Sequence, residues 1–555
     1  MKKSPSYIRN SRAKRTPPGG LSLNKAEILV AMLLTAAIIV LHFALLGNAG
    51  ALWRDESNSV NLALKPSITD IWRNLEYDSS PILTSLLLRT WMTLGLQSDF
   101  QLRLFGLLIG MMVIAALWLA VRQAGVRAPL ISLILFAFNP IVIRYVDSIR
   151  PHGLGTLFII LAIMAIWQVV CHASFFTVTL ASMAAVLSVQ TLYHNLILLS
   201  GIICSAMIII VIERRWRTLP ALSIVQLIAT LSILPYVRFI NQSAENFGLL
   251  SRSAVDLSWL FTRIAEAVNF SVGYFQYIWM SLLLLAIGIV LNDFFASKQI
   301  KRAIENKRTK NLFFLLAMIC SIVLFLGFLR ILNVQTQPWY YLPLLAIVAI
   351  CLDVLVNGAR LLTSMRIVLA VTAAVFTFNT SMHSCQLANS NINALASTLS
   401  TTTKAHDFII LNPWYIGVSF VRYYHGAAPF ATIPDIEDHA IHRYDLIKSK
   451  MASRAPLEPI FERIASTLSS GYTVWLVGFY PTTTIPFEIE PLPPAPNSPY
   501  GWSADHYQAN WVLQVMYYLQ KKGCTVETYQ YPSDGFGPYE NVFLFRVVYG
   551  QRLLD

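Results

Sequence analysis

The stretch PILTSLLLRTWMTLGL, residues 81–96, decides the topology of this 555-residue chain. It is apolar enough to be counted as a membrane span, but that choice would put the later basic loops outside. If it lies flat on the membrane as an amphipathic helix, the cytoplasmic loops are all basic: Arg122 to Arg127, Glu213 to Arg217, Lys298 to Lys310, and Arg360 to Arg366. Because basic loops are typical of the cytoplasmic side, we predict an interfacial helix at 81–96.

Composition indicates a polytopic membrane protein. Hydrophobic residues make up 55% of the chain and charged residues 13%, and the mean hydropathy is +0.56. Soluble proteins carry about 25% charged residues. The net charge of +13 and the pI of 9.4 could indicate a nucleic-acid partner. The basic residues lie in short clusters between apolar segments, however, so membrane topology explains them better.

Eleven apolar segments are long enough to cross a membrane: 27–48, 100–121, 128–143, 152–171, 174–192, 195–212, 218–240, 269–292, 311–332, 339–357 and 367–384. They predict a basic cytoplasmic segment over 1–26, a transmembrane domain over 27–385 with a first external loop at 49–99, and an external domain over 386–555. The first segment could be a cleavable signal peptide, but its length of about 20 residues favours an uncleaved anchor.

The region after residue 385 has the pattern of a small α/β domain. Strands are predicted at 406–411, 472–477 and 540–549, and helices at 456–470 and 507–521. The Pro-rich run from Pro481 to Pro499 is predicted to be a loop. The six cysteines match no disulfide framework and no zinc-ligand spacing.

Two adjacent carboxylates, Asp55 and Glu56, follow Trp53 and Arg54 directly after the first apolar segment. On the predicted topology, Asp78 and Asp147 lie on the same external face. Arg144 and Arg150 each stand three residues from Asp147, so one helical turn would bring these three side chains together. Ionisable groups at a membrane boundary indicate a functional site. The alternatives are that the acids only solvate a loop and that Asp147 belongs to a surface ion-pair cluster.

This order of motifs, from the first span to about residue 200, resembles the GT-C-type membrane glycosyltransferases. It is most similar to the protein O-mannosyltransferase group (glycosyltransferase family 39), including the bacterial lipid A aminoarabinose transferases. The resemblance implies that Asp55 is the catalytic base, with Glu56 as its partner. It also implies that Asp78 is a second acidic site before a proline, and that Asp147 is a later acidic position of the second external loop.

The resemblance further implies that one sugar passes from a polyprenyl-phosphate donor to a hydroxyl acceptor. A single base opposite that leaving group predicts direct displacement with inversion at the anomeric carbon. That acceptor would be a protein, a lipid or an envelope glycan, at the external or periplasmic face of a bacterial inner membrane. Such chemistry needs a base, and cations for the leaving phosphate. The candidates for donor or substrate binding are Arg54, Asp78, Arg144, Arg150, His194 and Arg330.

Several of these assignments have open alternatives. Trp339 stands where relatives carry an arginine, so Arg330 is the expected substitute. His194 is either a substrate residue or a structural histidine at a helix junction. A divalent cation, Mg, Mn or Zn, could bridge Asp55, Asp78 and the donor phosphate. Burial at the boundary should raise the pKa of Asp55, and Arg54 should oppose that shift.

Two other function classes are compatible with a polytopic chain. A transporter or lipid flippase would carry its charges near mid-span and facing a pathway. A non-catalytic scaffold would use the external domain to bind envelope glycan or a partner protein. The grouping of acids at one surface favours the transferase.

Overall fold

The computed structural model describes residues 23–250, 256–269, 273–296, 303–333, 336–357, 360–480, 485, 487–496, 503–537 and 539–549. Three predictions therefore lie wholly or partly outside the described residues: most of the N-terminal segment 1–26, part of the basic loop from Lys298, and much of the Pro-rich run. The structure has a helical part followed by an α/β part.

The helical part contains sixteen α-helices among the described residues. They are α1 Leu23–Asn48, α2 Arg54–Ala63, α3 Ile68–Arg73, α4 Leu83–Thr93, α5 Asp99–Gln123, α6 Pro140–Val146, α7 Pro151–Cys171, α8 Phe175–Val189, α9 Asn195–Ile212, α10 Leu219–Leu231, α11 Val237–Leu250, α12 Leu257–Val268, α13 Phe275–Ala296, α14 Ala303–Leu332, α15 Leu342–Leu355 and α16 Arg360–Gln386. Short 3-10 turns occur at Leu75–Tyr77, Trp216–Thr218, Leu234–Tyr236 and Pro338–Tyr341, and a π-helical stretch at Ser132–Ala137.

Nine helical segments in the described part of the chain are long and apolar enough to cross a membrane. They correspond to nine of the eleven predicted spans. The predicted span 174–192 is the shorter apolar helix α8. The predicted span 128–143 forms the buried π-helical stretch Ser132–Ala137 and the beginning of α6. The prediction of a polytopic helical membrane protein is confirmed.

The segment that decided the topology forms the short helix α4. Its eleven residues extend about 16 Å at 1.5 Å per residue, far less than the roughly 30 Å of a bilayer core. Leu88 and Met92 on one face are buried against α2 and neighbouring side chains, whereas Leu87 and Leu94 are exposed. The prediction of an amphipathic helix that does not span is therefore confirmed.

The α/β part is a three-layer sandwich around one five-stranded sheet. Its elements are α17 Ile392–Thr402, β1 Phe408–Leu411, α18 Ile416–Tyr423, β2 Phe430–Thr432, α19 Tyr444–Ala452, α20 Glu458–Ser469, β3 Val474–Val477, α21 Ala504–Lys521, β4 Cys524–Gln530 and β5 Leu544–Tyr549. The strand order is β2-β1-β3-β5-β4. The pairs β1–β2 and β1–β3 are parallel, and β3–β5 and β4–β5 are antiparallel.

The central strands are buried on both faces. All four residues of β1 and of β3 are buried, as expected for strands covered by helices on both sides. One face packs on α20 and α21, and the other on α17 and α18. The predicted strands at 406–411, 472–477 and 540–549 and both predicted helices are observed, whereas β2 and β4 were not predicted.

Hydrogen bonds join the α/β part directly to the loop that carries the candidate acids. The hydroxyl of Tyr423 accepts from the backbone N–H of Leu52 at 2.7 Å and donates to Asp99 at 2.6 Å. The guanidinium of Arg422 donates to the same carboxylate at 2.6 Å. Asn61 of α2 donates to the carbonyl oxygen of Ala440 at 2.7 Å. Helix α2 therefore lies between the membrane helices and the α/β part.

Candidate active site

Asp55 lies in the first turn of α2, immediately after the first membrane helix. Its side chain is 24% exposed, and Oδ1 lies 3.7 Å from Nε of Arg54. Within the described part of the chain, its carboxylate accepts no hydrogen bond. Burial alone would raise the pKa of Asp55, but the charges of Arg150 and Arg54 outweigh burial and lower it. The carboxylate is thus ionised, partly exposed and without a hydrogen-bond donor, so it can accept a proton.

Arg150 provides the charge that lowers the pKa of Asp55 most. Its Nη1 donates to the Asp78 carboxylate, to the hydroxyl of Ser59 at 2.9 Å and to the backbone oxygen of Asp55 at 3.3 Å. No hydrogen bond from Nε or Nη2 to another described residue is present. The guanidinium is therefore held in place through one nitrogen, and its other nitrogens are available to a ligand.

Asp78 serves as the anchor of Arg150. Besides Arg150, its carboxylate accepts from Asn58 at 3.1 Å, from Ser59 at 3.4 Å and from Ser80 at 2.8 Å. The residue is 5% exposed. Since four donors already occupy its oxygens, Asp78 acts on the site by positioning Arg150.

Glu56 is adjacent to Asp55 in sequence but points to a different environment. It is fully buried, and its Oε1 accepts from Nη1 of Arg103 at 2.5 Å and from the backbone N–H of Ile149 at 3.2 Å. Asn389 approaches the other oxygen at 3.5 Å. Glu56 therefore joins α2 to α5 and to the loop before α7, and it makes no contact with Asp55 other than through the chain.

Asp147, Arg144 and Arg150 do not form the predicted shared helical face. Helix α6 ends at Val146, and Asp147 is its C-cap, 7% exposed and paired with His42 of α1 at 2.7 Å. Arg144 donates to Ser384 O at 2.5 Å and to the side chain of Asn389. Because the chain leaves the helix at Asp147, only Arg150 meets the Asp55 site, whereas Arg144 and Asp147 line a small cavity beside Arg103.

Arg54 is turned towards the α/β part. Its guanidinium lies 4.4 Å from the ring of Tyr415 and 5.2 Å from that of Trp53. Its backbone N–H donates to Glu540 at 2.9 Å, and Nη1 donates to Tyr539 O at 3.2 Å. Arg54 is therefore enclosed by protein groups and contributes its charge to Asp55 from the side.

Aromatic rings border the site. Trp339 is 9% exposed and lies 4.4 Å from Tyr145, 5.6 Å from Tyr539 and 6.1 Å from Trp53, measured between ring centres. Tyr340 stacks beside it at 6.5 Å. Here an aromatic surface occupies the position at which relatives were expected to carry an arginine.

The last two candidates, His194 and Arg330, lie in different surroundings. His194 stands 6.1 Å from the ring of Tyr340, and its Nε2 is buried without a hydrogen-bond partner in the described chain. It therefore belongs to the aromatic border. Arg330 is exposed near the end of α14 and contacts none of the other candidates.

Two residues of the site come from the α/β part and were missed by sequence reasoning. His442 is 6% exposed, and its backbone N–H donates to Asn58 of α2 at 2.8 Å. Tyr444 lies next to it, with ring centres 5.9 Å apart. The charge of Asp55 acts on the pKa of both groups. Nothing in the local sequence around 442 distinguishes it from a polar loop, so no signal could have found it.

No group of three or more His, Cys, Asp or Glu side chains arranged to hold a metal ion is present among the described residues. A cation bridging Asp55 and Asp78 would have to compete with Arg150 for the Asp78 carboxylate.

An open cleft of about 700 Å³ runs along α2. It is lined by Asn61, Lys65, Arg422, Glu437 and His439 among others. It lies between the first external loop and the α/β part.

The fold is of the GT-C type and is similar to that of a solved ArnT structure. ArnT from Cupriavidus metallidurans in the apo state is similar over 94% of this chain and 98% of its own, with a TM-score of 0.53 and 12% identity. ArnT from the same organism bound to undecaprenyl phosphate matches over 81% and 92%, with a TM-score of 0.48 and 12% identity. The oligosaccharyltransferase of Archaeoglobus fulgidus in complex with Zn and sulfate matches over 81% and 67%, with a TM-score of 0.47 and 10% identity. No family model and no curated protein matches the sequence.

Proposed function

We propose that this protein is a membrane glycosyltransferase. It transfers one sugar from a polyprenyl-phosphate donor to a hydroxyl acceptor at the external face of a bacterial inner membrane. The observation that carries the proposal is an ionised Asp55 carboxylate that lies beside a fixed Arg150 guanidinium, which donates to the backbone oxygen of Asp55. ArnT, whose apo structure has the same fold, is a protein that binds undecaprenyl phosphate, and this supports a lipid-phosphate donor.

The proposed reaction is a single displacement. Asp55 removes the proton from the acceptor hydroxyl, and the acceptor oxygen forms a bond to the anomeric carbon. The bond from that carbon to the phosphate oxygen breaks, and its electron pair leaves with the polyprenyl phosphate. Arg150 stabilises the charge on this leaving group because guanidinium binds phosphate through paired hydrogen bonds. One displacement inverts the anomeric configuration and forms no glycosyl-enzyme intermediate.

The remaining predicted residues fit this reaction in supporting roles. Asp78 fixes Arg150, Glu56 holds α2 against α5, and Asp147 with His42 fixes the end of α6. The aromatic surface around Trp339 would face the sugar, since apolar ring faces pack on the C–H groups of a sugar. The basic loops predicted on the opposite side assign Asp55 to the external face.

The test is turnover by the purified full-length protein in lipid nanodiscs. The probes are synthetic undecaprenyl-phosphate sugars and an envelope extract, and the readout is free undecaprenyl phosphate by mass spectrometry. Asp55→Asn should lower turnover about 10²- to 10⁴-fold, the usual contribution of a general base, while donor binding is retained. Asp70→Asn, at the capping position of α3 in the same loop, is the matched control and should turn over normally.

Three results would contradict the proposal. Wild-type turnover by Asp55→Asn would show that Asp55 is not the base. A trapped glycosyl-enzyme would show that the reaction has two steps instead of a single displacement. Wild-type protein that moves the lipid across the bilayer without releasing its sugar would indicate a flippase instead. A deletion strain analysed by mass spectrometry should accumulate the lipid-linked sugar, which identifies the donor.

A further inference from the structure

His442 enters the candidate site from the α/β part. Its backbone N–H donates to the side-chain oxygen of Asn58 at 2.8 Å, and Asn58 lies one helical turn after Asp55 on α2. The preceding residues 437–440 line the open cleft described above. Residues 437–440 therefore face an open cleft, whereas His442 lies inside the site.

One nitrogen of the His442 imidazole makes no hydrogen bond to the described residues. Nε2 of His442 is buried, and in the described chain it has no hydrogen-bond partner. Its ring lies between Trp414, at 6.0 Å, and Tyr444, at 5.9 Å. A phenylalanine would fill the same space without leaving a buried polar atom unpaired. Buried polar groups in native proteins are nearly always hydrogen-bonded, so the missing partner indicates a ligand.

Burial keeps this ring neutral. Burial lowers the pKa of His442 to about 4, Asp55 opposes that shift, and Arg54 and Arg150 add to it. A neutral imidazole has one donor nitrogen and one acceptor nitrogen. It is therefore suited to a neutral hydrogen-bonding group such as a hydroxyl, and unsuited to bind a phosphate by charge.

We propose that His442 is a substrate-binding residue whose Nε2 hydrogen-bonds a hydroxyl of the substrate held beside Asp55. This inference rests on the proposed glycosyl transfer. The hydroxyl belongs either to the acceptor or to the donor sugar, and both present the same chemistry to the imidazole. In either case the α/β part supplies a residue that determines specificity.

The decisive variant is His442→Phe, compared with His442→Gln and with His425→Phe. Phenylalanine keeps the ring packing and removes Nε2, whereas glutamine returns a hydrogen-bonding group at a similar reach. His425 is an exposed histidine of the same α/β part, and its replacement is the matched control. Half-saturation is measured separately for synthetic undecaprenyl-phosphate sugars and for the envelope extract, together with the thermal unfolding midpoint.

We expect His442→Phe to raise one half-saturation concentration about 3- to 10-fold, as loss of one hydrogen bond does, and to leave the unfolding midpoint unchanged or higher. His442→Gln should restore most of the affinity. A rise for the extract assigns the acceptor hydroxyl, and a rise for the donor assigns the sugar hydroxyl.

Two outcomes would overturn the inference: unchanged half-saturation for both substrates, or a lower unfolding midpoint with no selective loss of affinity. The second would indicate a purely structural role for the ring. These failures differ from failure of the proposed function, because in them Asp55→Asn would still abolish turnover.

Discussion

Replacing Arg54 should change the pH at which the protein loses activity. Arg54 lies 3.7 Å from the Asp55 carboxylate and is one of the charges that lower its pKa. Burial acts in the opposite direction and is the largest single influence on this carboxyl group. In Arg54→Gln, burial is opposed by the charge of Arg150 without that of Arg54, so the pKa of Asp55 should rise.

The size of the shift follows from the distance. Two unit charges 3.7 Å apart interact by about 1 kcal/mol in bulk water and about 4.5 kcal/mol at an effective dielectric constant near 20. One pKa unit corresponds to about 1.4 kcal/mol. Both side chains are partly exposed, at 19% and 24%, so the shift should fall between these limits, roughly 1 to 3 units upward.

The assay is the pH profile of kcat/KM. A general base acts only when deprotonated, so activity is lost as the pH falls through the pKa of Asp55. The wild-type profile should stay flat down to the ordinary range of an aspartate or below it, and the acid limb of Arg54→Gln should begin 1 to 3 pH units higher. Lys65→Gln is the control, because Lys65 lies in the same loop and acts on Asp70 instead. An acid limb that stays in place in an active Arg54→Gln protein would refute Asp55 as the titrating base.

Three further predictions concern a buried ion-pair cluster, a close helix contact and metal dependence. Arg366→Met leaves the carboxylates of Glu27 and Asp353 buried without their shared partner, so the protein should lose about 3–5 kcal/mol of stability; an unchanged unfolding midpoint in detergent would contradict the buried cluster. Gly110→Ala would bring a Cβ within 2.1 Å of Oδ1 of Asp147 and should destabilise the protein by about 1–3 kcal/mol, again measured by thermal unfolding. Incubation with EDTA should leave turnover intact, because an arginine already neutralises the second acid of the loop; loss on chelation and recovery with Mg or Mn would establish a bridging cation.

Much of the fold follows from local patterns in the sequence. Hydrocarbon thickness requires long apolar runs, so the membrane character of the chain can be predicted from composition and segment length. The short helix α4 follows from the basic loops, because charge distribution orients the whole bundle. The strands β1 and β3 are continuous apolar runs and were found, whereas β2 has three residues and β4 alternates at the sheet edge, so neither is distinguishable from a loop.

The sequence by itself determined the membrane class of this protein and the position of Asp55 after the first span. Only the tertiary structure separated Asp55 from Glu56, because consecutive residues on a helix point about 100° apart and α2 is enclosed on several sides. Tertiary structure also directed Asp147 to His42 and brought His442 to a carboxylate 387 positions earlier in the chain. Local patterns encode burial and periodicity, whereas the partner of a charged group depends on which distant segments fold against it.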